Sequence, residues 1–311
     1  MGKKVYIVAP CHQDRGSNFK KYPFLAWKAL DGKEAFNWYL PKKIRGIAYN
    51  IEFPSLSINR KVAYLRLVEA CSISFDTFPH YIWGETIPMI WDCWPQYFDK
   101  IAHWLKRHQV KTAIFTSSQT ASKMREVFPN MNILFLPEGI DVKPYHAGYE
   151  LEMRSIDLLE YGNIKRNFFK QYVDGIKHVN VKNSHGRMAT WEKLLETISD
   201  SKVVIALPRC DTEPKFAGGI ETLTQRFWEG MLSRTVLLGR APQELIDIIG
   251  YNPVIDLDKN YPDEQVRNIV SHISDYQELV DKNRETALRM APWEIRMKKI
   301  MTWLESLGYQ I

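Results

Sequence analysis

Two glutamates, Glu221 and Glu229, stand eight residues apart around a segment that reads as the start of a helix. Ahead of them the strand-like run Lys202 to Leu207 opens into the densest polar loop of the chain, Pro208 to Glu221, which contains the pair Gly218-Gly219. Loops that follow strands of a parallel sheet are where ligands bind. Thr222 and Gln225 fit an S/T-x-x-E/Q capping box, which predicts a helix beginning at Thr222 with free N–H groups in its first turn. Such an end attracts phosphate. At about 100° per residue, Leu223, Phe227, Trp228, Met231 and Leu232 sweep one half of this helix, and Gln225, Arg226 and Glu229 fall on the other. Arg226 and Glu229 are then either a solvated pair worth about 0.2 to 0.5 kcal/mol or part of a ligand site, and periodicity leaves both open. The glycine pair alone fits a phosphate loop or a flexible turn equally well.

A second group of residues has the chemistry to orient or deprotonate a hydroxyl. His12 lies in the polar loop Cys11 to Asn18 after the first strand, and His80 and Asp92 follow later extended segments. Each fits a hydrogen-bonded structural residue as well.

The elements that would position these residues alternate. Lys4 to Ala9 reads as a buried strand ending at Pro10, Gly46 to Phe53 as a second strand, Asn59 to Cys71 as a helix, and Ser72 to Phe78 and Thr86 to Trp91 as extended. Then follow a helix at Pro95 to His108, a strand at Thr112 to Thr116, a helix at Gln119 to Phe128 and a strand at Asn132 to Leu136. That order predicts a parallel sheet with helices on its faces, a doubly wound α/β domain. Beyond a Pro- and Gly-containing linker at Lys143 to Met153 the rhythm resumes: a strand at Ser155 to Leu159, helices at Phe168 to Val173 and Thr190 to Ile198, a strand at Lys202 to Leu207, the helix carrying Glu229, and a strand at Thr235 to Leu238. Trp293 to Leu307 reads as a last amphipathic helix. The expected division is a domain over 1–145, a second over 146–292, and a terminal helix, 293–311, that packs back on the first.

Composition narrows the class. With 45% hydrophobic and 25% charged residues in 311, fibrous and disordered classes are excluded and a sizeable core is assured. No apolar run approaches the roughly 20 residues needed to span a bilayer, and the start lacks a signal-peptide core, so a cytoplasmic location is expected. The four cysteines show no C-x-x-C spacing and form no His/Cys cluster, so no metal site is expected. A net charge of +6, spread along the chain, suits an anionic ligand or peripheral contact with an anionic inner membrane surface, and lacks the concentrated tract of a nucleic-acid arm.

The Glu-x7-Glu spacing of Glu221 and Glu229 resembles that of nucleotide-sugar-dependent glycosyltransferases of the GT-B fold, especially the large, mostly retaining group. Arg226-Phe-Trp-Glu-Gly-Met-Leu-Ser-Arg-Thr-Val-Leu-Leu238 is similar to that group's Arg-x-x-Glu-Ala-Met-Ala-x-Gly-x-x-Val stretch, Leu136-Pro-Glu-Gly-Ile-Asp141 to its interdomain turn, and Trp293-Glu-Ile-Arg296 to the opening of its final helix. Phe75 to His80 and Trp91-Asp92 resemble its acceptor-domain strand ends, and Tyr161-Gly162-Asn-Ile-Lys165-Arg166 its loop of diphosphate-binding bases. Thr222 to Thr224 replace the usual glycine and proline between the glutamates, Arg234 replaces the glycine that ends the helix, and Trp91 stands where histidine is usual.

The resemblance implies two Rossmann-like doubly wound domains facing each other across a cleft, and transfer of a hexosyl group from a nucleoside-diphosphate sugar to a saccharide or lipid-linked acceptor, as in cell-surface polysaccharide or glycoconjugate synthesis. It assigns Glu221 to donor-sugar hydroxyls and Glu229 to the ribose, with Gly162, Lys165, Arg166, Gly218, Gly219 and Arg226 completing the donor site. Of the acceptor-side candidates, His12, His80 or Asp92 would act on the acceptor hydroxyl. No cofactor beyond the nucleotide-sugar co-substrate is implied, and no metal, because basic side chains and helix-start N–H groups can stabilise the departing diphosphate. The rival expectation is a non-catalytic GT-B-like scaffold that binds a nucleotide or glycan.

Overall fold

The computed structural model describes residues 2–10, 17–37, 42–51, 53–56, 58–162, 167–180 and 190–311. The chain forms two compact units, one of Met1–Gly139, Phe216–Ile220 and Trp293–Ile311, the other of Ile140–Lys215 and Glu221–Pro292.

In the first unit six strands, β1 (Lys4–Val8), β2 (Glu34–Ala35), β3 (Val62–Glu69), β4 (Glu85–Trp91), β5 (Thr112–Phe115) and β6 (Asn132–Phe135), lie in the order β2-β1-β3-β4-β5-β6. All pairings are parallel. Alternate side chains point to opposite faces of a strand. Thus Val5, Leu65, Met89 and Ile114 bury one face of the sheet against Trp293, Met297, Ile300 and Leu304 of the last helix, Trp293–Ser306. Val68, Ile90 and Phe115 bury the other against Ile101, Trp104 and Met124. Coverage on both faces makes this a doubly wound sheet.

The second unit repeats the plan with β7 (Ile156–Glu160), β8 (His178–Asn180), β9 (Ser201–Ala206), β10 (Val236–Gly239) and β11 (Val254–Asp256), ordered β11-β10-β9-β7-β8 and again parallel. Leu159, Val204 and Leu237 pack against Phe227, Trp228 and Met231 on one face, and Leu158, Val203 and Val236 against Val266, Ile269 and Val280 on the other. In each sheet the order reverses beside the first strand, between β1 and β3 and between β7 and β9. Crevices for ligands open at the C-terminal strand ends of such switch points.

Four expected elements are corrected. The expected strand from Gly46 to Phe53 is corrected: its residues 46–51 are the second part of a helix, Lys42–Ile51, in which Ile44, Ile47 and Ile51 recur at helical spacing. Asn59 to Cys71 is not a helix but contains β3, whose near-continuous apolar run reflects burial on both faces. Ser72 to Phe78 is not extended: Ile73–Thr77 is helical. Phe168 to Val173 is irregular, with the Phe168 and Phe169 amides given to the Glu160 carboxylate at 2.7 and 3.2 Å. Among the described residues, no helix is long and apolar enough to cross a membrane.

Candidate functional site

The switch point of the second unit brings together residues far apart in the chain. Tyr161 and Gly162 directly follow β7, and Arg226 and Glu229 project from the helix Gln225–Leu232 that leads into β10. Tyr161 donates its hydroxyl hydrogen to Glu229 Oε2 at 2.7 Å, and Tyr145 donates to Oε1 at 3.2 Å. The Arg226 guanidinium lies over the Tyr161 ring, 5.0 Å from its centroid, within cation–π range. Gly162 has φ +104°, and a Cβ there would stand 2.1 Å from Arg226 Nη2, so only glycine leaves room for the guanidinium.

Glu229 is only 7% exposed, which rejects the solvated-pair alternative for this residue. Burial raises the Glu229 pKa, while the hydrogen bond from Tyr161, the Arg226 charge and the hydrogen bond from Tyr145 pull it back. Burial, followed by the Glu229 charge, holds the Tyr161 hydroxyl protonated well above its usual range. A buried carboxylate with two hydroxyl donors keeps acceptor capacity for a ligand hydroxyl, since it offers about four lone-pair sites.

Glu221 belongs to a different set of contacts. One carboxylate oxygen takes the Arg240 guanidinium and the other the N–H of Gln243 at 2.8 Å. Arg240 also pairs with Asp211 at 2.7 Å, and these hydrogen bonds raise the Arg240 pKa. The predicted capping box does not form: the helix starts at Gln225, Thr224 is its N-cap, and the Thr224 side chain makes no capping hydrogen bond. The reason is non-local. The Leu223 amide is given to the buried Glu244 carboxylate at 3.0 Å, which holds Glu221 to Thr224 out of helical conformation.

Gly218 and Gly219 fall in the segment that clusters with the first unit, not with the Glu229 helix. Gly218, at φ +58°, packs against Pro95, where an added Cβ would stand 2.9 Å from Cγ, whereas a Cβ on Gly219 would meet nothing within 4 Å. Of the expected donor residues, the structure therefore assembles Gly162, Arg226 and Glu229. Lys165, Arg166 and His12 lie outside the described residues.

In the first unit, the switch between β1 and β3 holds a cluster that sequence reasoning missed. Glu69 ends β3, and Lys20, buried on the helix Ser17–Ala29 after β1, lies 2.9 Å from Asp76 and 3.6 Å from Glu69. Burial raises the Glu69 pKa, Lys20 lowers it, and the Asp76 and Asp92 charges raise it further. Asp92 is exposed just past β4 at φ +54°, a conformation uncommon outside glycine.

His80 is corrected from acid–base candidate to structural residue. Arg66 Nη1 donates to its Nδ1 at 3.3 Å, so Nε2 carries the hydrogen and donates to the Phe36 carbonyl at 3.0 Å. No lone pair is left to accept a proton, and burial followed by the Arg66 charge lowers its pKa to about 3. Among the described residues, no group of three or more His, Cys, Asp or Glu side chains is arranged to hold a metal ion.

No protein-family model and no curated protein matches this chain. Solved structures do match. Anabaena HepE, crystallised in complex with UDP and glucose, is similar over 98% of this chain and 100% of its own, with a TM-score of 0.60 at 8% identity. The chain has the GT-B fold. AviGT4, a glycosyltransferase involved in avilamycin A biosynthesis, shares that fold over 98% of both chains, with a TM-score of 0.53 at 13% identity. TarM is similar over 78% of this chain with a TM-score of 0.52 at 11% identity, and the chain spans 54% of TarM's length. In the GT-B frame, the Tyr161–Glu229–Arg226 cluster occupies the strand-end crevice of the second Rossmann-like unit.

Proposed function

We propose that this protein is a glycosyltransferase that moves a hexosyl group from a nucleoside-diphosphate sugar to a saccharide or lipid-linked acceptor, in cell-surface polysaccharide or glycoconjugate synthesis. The observation that carries the reading is the buried Glu229 carboxylate, held by Tyr161 and Tyr145 at a switch point beside the Arg226 guanidinium. A carboxylate so held accepts hydrogen bonds from a ribose, and a guanidinium suits a diphosphate. HepE has been crystallised with UDP and with UDP-glucose, which makes a uridine nucleotide the first donor to try.

In this reading the departing diphosphate gains negative charge as the glycosidic bond breaks, and Arg226 with the loop bases Lys165 and Arg166 stabilises it without a metal. Glu221 orients the sugar hydroxyls, the configuration at the anomeric carbon is retained, and the enzyme works in the cytoplasm, peripheral to the inner membrane. Glu69 joins Asp92 as an acceptor-side candidate, because its raised pKa suits proton exchange with a hydroxyl.

One observation favours a second reading, a nucleotide-binding scaffold without turnover: both Glu221 oxygens are engaged by Arg240 and Gln243. Incubation with UDP-glucose, in EDTA and in Mn²⁺, separates the two. UDP release in both conditions is the expected result; binding without release supports the scaffold, and release only with Mn²⁺ overturns metal independence.

A further inference from the structure

A cavity of about 400 Å³ opens in the first unit at the edge of the sheet opposite the strand ends discussed above. Lys3 precedes β1, Glu85 and Thr86 begin β4, and Arg107 ends the helix whose following turn, with His108 and Lys111, leads into β5, so the cavity lies at the N-terminal ends of parallel strands. It shares no residue with the candidate donor or acceptor clusters.

Its walls are strongly biased in charge. Lys3, Arg60, Arg107 and Lys111 line it against a single carboxylate, Glu85, which is already occupied by Lys3 and by the Tyr309 hydroxyl. Arg107 also ends its own helix, where a cation is favoured by the helix dipole. Lys3 is placed by its pair with Glu85, whereas Arg60 and Lys111 arrive from two separate segments.

The second observation is independent of charge. Thr86 is 5% exposed and His108 7%, and the Thr86 hydroxyl and both His108 ring nitrogens are buried without a hydrogen-bond partner. Both residues line the cavity. Buried polar groups are nearly always hydrogen-bonded, and one left unmet carries a penalty that is relieved where a side-chain rotation turns it toward a polar ligand. The His108 ring is held between Tyr81 and Trp104, with centroids 4.6 and 4.4 Å away, so its orientation is fixed before any ligand arrives.

We propose that this cavity is a second ligand site, separate from the donor site, that takes a small phosphorylated metabolite of about sugar-phosphate size. Arg60 and Lys111 meet the phosphate beside the Lys3–Glu85 pair, a rotation of the Thr86 side chain brings its hydroxyl to the ester or hydroxyl oxygens, and the His108 ring forms part of the wall. The volume fits the low end of the range for small-molecule pockets.

Calorimetric titration of the full chain with glucose 1-phosphate, with and without saturating UDP, tests the proposal. Saturable binding in both conditions is expected, with none for glucose. Arg60→Gln with Lys111→Gln, both exposed positions, should weaken it at least tenfold and leave the melting temperature of the free protein unchanged. Thr86→Val should also weaken it while folding normally, because it removes a hydroxyl that has no partner. Absence of saturable binding to the parent, or binding by the double variant equal to the parent's, overturns the proposal. Either failure leaves the reading of the Glu229 site untouched, since a separate titration with UDP reports that site on the same samples.

Discussion

Tyr161 and Glu229 are joined by a buried hydrogen bond of 2.7 Å between the end of β7 and the helix before β10. Sixty-eight residues separate them in the chain, yet the bond lies at the point where the strand order of the second sheet reverses. Desolvation opposes the Glu229 charge, so that charge persists only while donors such as Tyr161 face it. The pair therefore couples the integrity of the fold to the readiness of the site.

Glu229→Gln keeps the shape and removes the charge. A hydrogen bond to a charged group is worth roughly 1.5 to 3 kcal/mol, or about 10- to 150-fold in affinity. Calorimetry should show that loss for UDP, with the melting temperature of the free protein unchanged or slightly higher because no buried charge remains. Tyr161→Phe differs in direction on stability: it leaves the buried carboxylate with one donor fewer and should lower the melting temperature. If Glu229→Gln bound every nucleoside diphosphate like the parent, the donor-site assignment of this helix would have to be abandoned.

Gly162→Ala tests the packing of Arg226. The added methyl meets Nη2 at 2.1 Å on a backbone at φ +104°, so either the guanidinium leaves the Tyr161 ring or the backbone shifts. A cost of about 1 to 3 kcal/mol in strain follows. UDP affinity should fall with it, and Arg226→Lys should produce a similar fall in affinity without the loss of stability. Unchanged melting in Gly162→Ala is the outcome that contradicts this packing.

The legible parts of the fold are the elements whose pattern is decided locally. The runs at β4, β5, β6, β9 and β10 are short, apolar and bounded by turn residues, and each reads correctly. The strand β3 does not, because the buried residues Leu65, Leu67 and Val68 satisfy helical spacing as well as a strand buried on both faces. That misreading hid Glu69, its last residue. The capping box fails for a related reason: Glu244, twenty-one residues beyond Leu223, takes the amide that a local pattern assigns to the helix. Glu229 falls on the polar half of its helix by periodicity, and the hydroxyls of Tyr161 and Tyr145, supplied from elsewhere in the second unit, together with the Arg226 charge make its burial tolerable.

Acid should destabilise the protein partly through His108. Burial, then the neighbouring Arg107 and His103 charges, lower its pKa from 6.5 to about 4. Between those values the unfolded chain takes up a proton that the native state does not, so stability falls as pH drops from about 6.5 to 4 and is flat above. One such group contributes about 1.4 kcal/mol per pH unit. His80, lowered to about 3, adds a second step of the same sign. His108→Phe keeps the ring between Tyr81 and Trp104 and removes the titration, so urea melts in phosphate-free buffer at pH 5 and 7 should differ less than in the parent. A pH difference as large as the parent's would mean that His108 is protonated in the native state.

The Arg240–Glu221 pair decides what Glu221 is for. If Glu221 only anchors the segment before the helix, Arg240→Gln and Glu221→Gln break the same contact and should impair UDP-glucose turnover alike. If Glu221 meets the sugar, its own substitution removes the working group, whereas Arg240→Gln leaves it in place with the Gln243 amide still bound at 2.8 Å. The pair is partly exposed, with 40% of the arginine side chain accessible, so breaking it costs at most about 1 kcal/mol of stability. Both variants should therefore fold and bind UDP as the parent does. Turnover should fall at least tenfold further in Glu221→Gln than in Arg240→Gln, a difference of about 1.4 kcal/mol in transition-state stabilisation. Equal losses would remove Glu221 from the chemistry and leave it as the residue that ties the loop before the Glu229 helix to the turn after β10.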